Sequence, residues 1–155
     1  MDMIKVSVPA ALAYRDVVLR VVASTCRLVR TQGKAMQEPS RSAQEFDDQV
    51  VSAVGEAFNN VAIHAYRDRP AGVVQLEIEI DTQRITIRLK DNGLGFDPST
   101  ERSPDLQTLP ESHMGLFIVR SFMDQVTYRR GQSTSDPNVL TLVKNYSPAP
   151  VVARL

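Results

Sequence analysis

A chain of 155 residues fits one domain with its own hydrophobic core. Its 43% hydrophobic and 23% charged content is ordinary for a globular protein, and 18 basic residues balance 18 acidic ones, so no net field draws it to DNA, RNA or an anionic membrane. The single cysteine, Cys26, excludes an internal disulfide and a cysteine-based zinc site, and no apolar run approaches the roughly 20 residues that span a bilayer.

Met1 to Lys5 carries no signal-peptide pattern, so a reducing, cytoplasmic setting is the expectation. Ile4, Val6 and Val8 alternate with polar residues and predict a first strand ended by Pro9. Residues 11–31 read as a helix with Tyr14, Val17, Val18, Val21, Val22, Leu28 and Val29 on one stripe, Cys26 as a small buried hydrophobe, and Gly33 as a stop. A second helix is predicted from about Ser42 to Tyr66. Val50, Val51, Val54, Phe58, Val61, Ala62 and Ala65 form its buried face, with Gln49, Ser52, Glu56, Asn59, Asn60 and His64 toward the other side.

Val74 to Asp81 and Arg84 to Lys90 alternate strictly and predict a hairpin with one apolar and one charged face, acids on one strand facing bases on the next. A sheet of that kind takes helices on one side only, which argues against a doubly wound fold. Residues 98–110, with three prolines and no period, read as a long loop of the sort that serves as a lid. Met114 to Met123 returns to helical spacing, with Leu116, Phe117, Val119 and Phe122 as core candidates. Val126–Arg130 and Val139–Lys144 form a final strand pair. The chain therefore divides into one domain, residues 1–146, and a frayed tail, 147–155.

Three stretches carry chemistry. Asp91 continues the parity of Ile85, Ile87 and Leu89, so it points into the apolar side and needs a donor there. Gly93 and Gly95 follow at the strand end and permit close approaches; a tight turn with an amide-capping Asp is the plainer account of Asp91-Asn92-Gly93-Leu94-Gly95. Glu56 and Asn60, four apart, project from one helical face, with His64 a turn further on. A carboxylate beside an amide oxygen suits Mg²⁺ held with phosphate oxygens, or the carboxylate could accept a proton; a solvated polar face is the alternative. At His113-Met114-Gly115 a loop enters a helix, where free amides and a glycine suit a phosphate, or simply begin a helix.

The order of these elements resembles the GHKL ATPases, with their N box and two glycine boxes. The closer resemblance is to the partner-switching serine/threonine kinases that are also anti-sigma factors. It rests on Glu56 to Tyr66, on Asp91 to Asp97, and on Gly115 to Val119 followed by Met123-Asp124-Gln125-Val126. The resemblance implies an α+β two-layer sandwich, the Bergerat fold, with a mixed, mainly antiparallel sheet and helices on one face. It implies ATP and Mg²⁺ as cofactors, Glu56 as general base, Asn60 as Mg²⁺ ligand and Asp91 as acceptor for the adenine amino group. Gly93 and Gly95 would let the nucleotide approach, Gly115 and Leu116 would lie against it, and residues 98–114 would form the lid. The implied function is phosphorylation of an anti-anti-sigma antagonist and sequestration of a sigma factor, with a homodimer as family precedent and no direct nucleic-acid or membrane partner. Where the family has Gly-x-Gly, this chain has His113-Met114-Gly115. That departure raises the alternative of a nucleotide-dependent module that sequesters its partner without phosphoryl transfer. A histidine-kinase fragment fits less well, since no phosphoacceptor helix region precedes the N box. P-loop and eukaryotic-type kinase signatures are missing.

Overall fold

The computed structural model describes residues 2–31, 41–70, 72–94 and 111–146. Five strands alternate apolar and polar side chains and so can bury one face: β1 (Asp2–Pro9), β2 (Val73–Ile80), β3 (Arg84–Asp91), β4 (Gln125–Arg129) and β5 (Asn138–Asn145). They form one sheet in the order β1-β2-β3-β5-β4, and every pairing among these strands is antiparallel. The expected mixture of strand directions thus resolves to antiparallel pairing throughout. Three helices supply the second layer: α1 (Arg15–Thr31), α2 (Arg41–Asn60) and α3 (Glu111–Phe122). A single 3-10 turn, Leu12–Tyr14, leads into α1.

The core lies between the layers. Leu76, Ile78 and Ile80 of β2, Ile85, Ile87 and Leu89 of β3 and Leu142 of β5 are fully buried against Val18, Val22 and Val29 of α1, Val50, Val54 and Phe58 of α2 and Val119 of α3. Burying side chains of this size contributes about 1.5–3 kcal/mol each, which fixes the register, because a slip by one residue would turn them all to solvent. The opposite sheet face is charged, as the alternation predicts. Glu77 pairs with Lys90 at 2.8 Å and Lys5 at 3.6 Å, and Glu79 with Arg88 at 2.9 Å. Lys5 lies directly opposite Glu77 in the β1–β2 register, whereas the Lys90 and Arg88 pairs are diagonal, since Glu77 lies directly opposite Arg88. The Lys90 hydrogen bond, ahead of the surrounding positive charge, holds the Glu77 carboxyl below the usual carboxylate range.

Two parts of the predicted core lie elsewhere. Of the α1 stripe, Val18, Val22 and Val29 are buried, but Tyr14, Val17 and Leu28 are exposed. Tyr14 falls in the 3-10 turn ahead of α1, and the six apolar residues left on the helix span more arc than the sheet and α2 can cover. On α3, Leu116 and Val119 are buried whereas Phe117 is 39% exposed, on the outer side of the helix. Cys26 is buried, as expected, beside Val29, Phe46 and the Arg30–Asp47 ion pair that ties α1 to α2. Burial first, then the Asp47 charge, pushes its thiol up to about 12. Of the implied lid, 98–114, residues 111–114 form the first turn of α3 and so are helix rather than loop; residues 98–110, Gly95 and the tail 147–155 lie outside the described residues.

Candidate functional site

The α2 helix does not simply run on to Tyr66. It ends at Asn60 and widens into a π-helical turn, Val61–Ala65. Such turns insert one residue into a helix and frequently mark functional sites. Each residue of the wider turn advances less around the axis, which brings Ala65 onto the face of Ala57, Asn60 and Val61. All four line one pocket. His64 is not among its lining residues and lies near Arg67, with Nη2 to Nδ1 at 3.4 Å.

The pocket sits between α2, α3 and the sheet. Ala57, Val61, Ala65, Leu116, Val119 and Leu140 make it largely apolar, and Asn60, Asp91 and Tyr128 are its polar groups. An apolar slot with few polar groups is the usual form of a small-molecule site.

Asp91 ends β3 and is 6% exposed on the inward face, where the strand parity places it. Its Oδ1 accepts from the Gly93 amide at 2.9 Å and from Asn138 Nδ2 at 3.1 Å. Its Oδ2 takes no hydrogen bond from a described residue, while Asp91 lines the pocket. Asn138 opens β5 directly opposite Asp91; its Nδ2 also donates to the Gly93 carbonyl at 3.1 Å, and its Oδ1 accepts from the Gly131 amide at 3.0 Å. The Leu94 amide donates to the Ala65 carbonyl at 2.6 Å, and Arg130 Nη2 donates to the Leu94 carbonyl at 3.0 Å. At Gly93 any Cβ would overlap the Ala65 carbonyl, so only glycine lets the strand end approach the π-turn this closely.

The other end of the slot is built differently. Among the described residues neither the Glu56 carboxylate nor the Asn60 amide has a hydrogen-bond or ion-pair partner. Glu56 lies against Gly115 of α3, where a Cβ would collide with its Oε2. The helix begins at Glu111, so the Gly115 amide falls beyond the four unpaired N–H groups of the first turn. What the missing side chain makes room for here is the Glu56 carboxylate. The side chain of His113 lies outside the described residues.

Structure thus brings Glu56, Asn60, Asp91, Gly93, Gly115 and Leu116 to one neighbourhood. Sequence reasoning gave no role to Asn138, Tyr66, Tyr128 or Arg130. Asn138 sat in what reads as a turn, Asp136-Pro137-Asn138, and becomes visible only once β5 is known to pair with β3.

A family model described as "Histidine kinase-like ATPase domain" matches residues 8–144. Several curated proteins named "Anti-sigma F factor" are similar in sequence. The one from Clostridium beijerinckii is 36% identical over 91 residues, covering 55% of this chain and 64% of that protein. Those from Clostridium novyi and Halalkalibacterium halodurans are each 34% identical over 99 residues, covering 61% of this chain and 67% and 64% of theirs. The chain spans about two thirds of the length of these relatives.

Proposed function

Because the chain belongs to the histidine kinase-like ATPase domain family, and so to a nucleotide-binding fold, we propose that it is an anti-sigma factor and a Mg-ATP-dependent serine/threonine kinase of cytoplasmic partner-switching type. It phosphorylates an anti-anti-sigma antagonist and sequesters a sigma factor. The likeness to anti-sigma F factors supports the partners. One observation carries the nucleotide reading. At the inner end of an apolar slot, Asp91 keeps one carboxylate oxygen without a described partner while the other is fixed by two donors. That is an acceptor for an exocyclic amine on a flat base, and adenine has one.

The residues present fit the group. Asn60, with no described partner of its own, would supply an amide oxygen for Mg²⁺. Leu116 and Val119 cover the apolar face of the base, and Gly93 keeps the adjoining loop clear of a side chain. Bound Mg-ATP supplies the γ-phosphoryl group and its charge neutralisation. Glu56 takes the proton from the substrate's serine or threonine hydroxyl as the oxygen attacks and ADP leaves.

His113 in place of the family's glycine favours a second reading, nucleotide-dependent sequestration without transfer. Incubation with labelled ATP, Mg²⁺ and candidate antagonists, beside a nucleotide-binding titration, separates the two. Label on the antagonist is expected. Nucleotide-responsive partner binding with no label would establish the second reading, and absence of ATP binding would overturn both.

A further inference from the structure

Ladder pairing between β2 and β3 ends at Gln75 opposite Lys90. Continuing that register would set Val73 against Asn92, with the Asn92 amide free to bond the Val73 carbonyl directly. Instead the Tyr66 hydroxyl stands between them. It accepts from the Asn92 amide at 3.0 Å and donates to the Val73 carbonyl at 3.1 Å. A phenol oxygen thus takes the place of the next rung, and β3 leaves β2 where it must rise toward the π-turn.

We propose that Tyr66 is a positioning residue of the nucleotide site: its hydroxyl, inserted as a spacer between the ends of β2 and β3, holds the Asp91–Leu94 loop where Asp91 meets the base. The proposal rests on the nucleotide reading above. Tyr66 immediately follows the π-turn, whose last carbonyl, Ala65, takes the Leu94 amide at 2.6 Å. Asn92 and Leu94 are therefore both anchored to residues 65–66, and the same short segment begins at Asn60. The ring is fixed on its other side by Gly72, where a Cβ would overlap it. Burial, opposed by the Asn92 amide, raises the Tyr66 pKa above its ordinary value. The hydroxyl therefore keeps its proton for Val73 across the neutral range. Tyr66 does not line the pocket, so its effect on the ligand passes through Asp91.

The test is calorimetric titration of the full chain with ATP and with purine riboside triphosphate, which lacks the 6-amino group. The unmodified protein is expected to prefer ATP. Tyr66→Phe keeps the ring and removes the spacer, so ATP affinity should fall about tenfold, the usual size of effect for a lost hydrogen-bond partner. Affinity for the 6-unsubstituted nucleotide should hardly change, so the preference collapses. Gly72→Ala retains the hydroxyl but displaces the ring, and should collapse the preference in the same direction. Variants that keep the full preference would overturn the proposal, as would equal weakening of both nucleotides together with a lower Tm, which marks a merely structural bond. If the unmodified protein binds neither nucleotide, the nucleotide reading itself falls.

Discussion

The two ends of the slot are built on opposite plans. Around Asp91, every segment is tied down: Asn138 grips the carboxylate and the Gly93 carbonyl, Tyr66 holds Asn92, and Ala65 and Arg130 hold Leu94. Around Glu56 and Asn60, no described side chain or backbone group satisfies either residue. The first end is rigid before any ligand arrives, which lowers the ordering cost of binding and sharpens selection of one hydrogen-bond pattern. The second end presents acceptors that no described residue satisfies, and on the proposed reading phosphate, cation and hydroxyl would engage them. On the proposed reading, recognition of the base and chemistry at the phosphate are separable, and substitutions should separate them.

The largest effect is expected at the open end. Glu56→Gln removes the proton acceptor but no hydrogen bond or ion pair to a described residue, so phosphoryl transfer to the antagonist should fall ~10²–10⁴-fold while Mg-ATP binding stays close to normal. Full transfer activity in this variant would remove Glu56 as the base. At the rigid end, Asp91→Asn exchanges a pure acceptor for a mixed donor and acceptor. ATP affinity in a binding titration should drop by about 1–3 kcal/mol. GTP, which offers a carbonyl where ATP offers an amine, should bind poorly to the unmodified protein; equal affinities for the two would break the assignment. Gly115→Ala sharpens the contrast further. Its Cβ would displace the Glu56 carboxylate without touching Asp91, so transfer should weaken more than ATP affinity, as a kcat loss with little change in KM for ATP.

The smallest effect comes from a carboxylate outside the slot. The Glu77 pKa is depressed in the folded state by Lys90 and its neighbours, so its contribution to stability is present above the unfolded pKa and lost as pH falls through the folded one. Thermal melts of Glu77→Gln should therefore show a shallower loss of Tm below about pH 4 and unchanged ATP affinity at neutral pH.

Much of this arrangement can be read from the chain, and the parts that cannot share a cause. The β2–β3 hairpin is legible because one face is buried and the other charged, and the same parity carries Asp91 inward. The α1 helix is misleading because Tyr14, Val17 and Leu28 keep helical spacing while facing solvent; periodicity shows that a stripe exists, not how wide the covering surface is. The π-turn leaves no mark in residues 61–65, whose Val, Ala, Ile, His and Ala suit an ordinary helix. Asn138 and Tyr66 act across long sequence separations, 47 residues to Asp91 and 26 to Asn92. Their roles exist only after the strands have paired.

The lone thiol has a practical consequence. Cys26 sits in the seam between α1 and α2, 1% exposed and held in its protonated form by a pKa near 12. The thiolate is the nucleophile that attacks an alkylating reagent, so labelling must wait for the seam to part. The protein consequently carries its own clock for that opening. The labelling rate, compared with and without Mg-ATP, would tell whether a ligand bound between α2 and α3 also clamps the far side of α2 or leaves α1 to breathe as before.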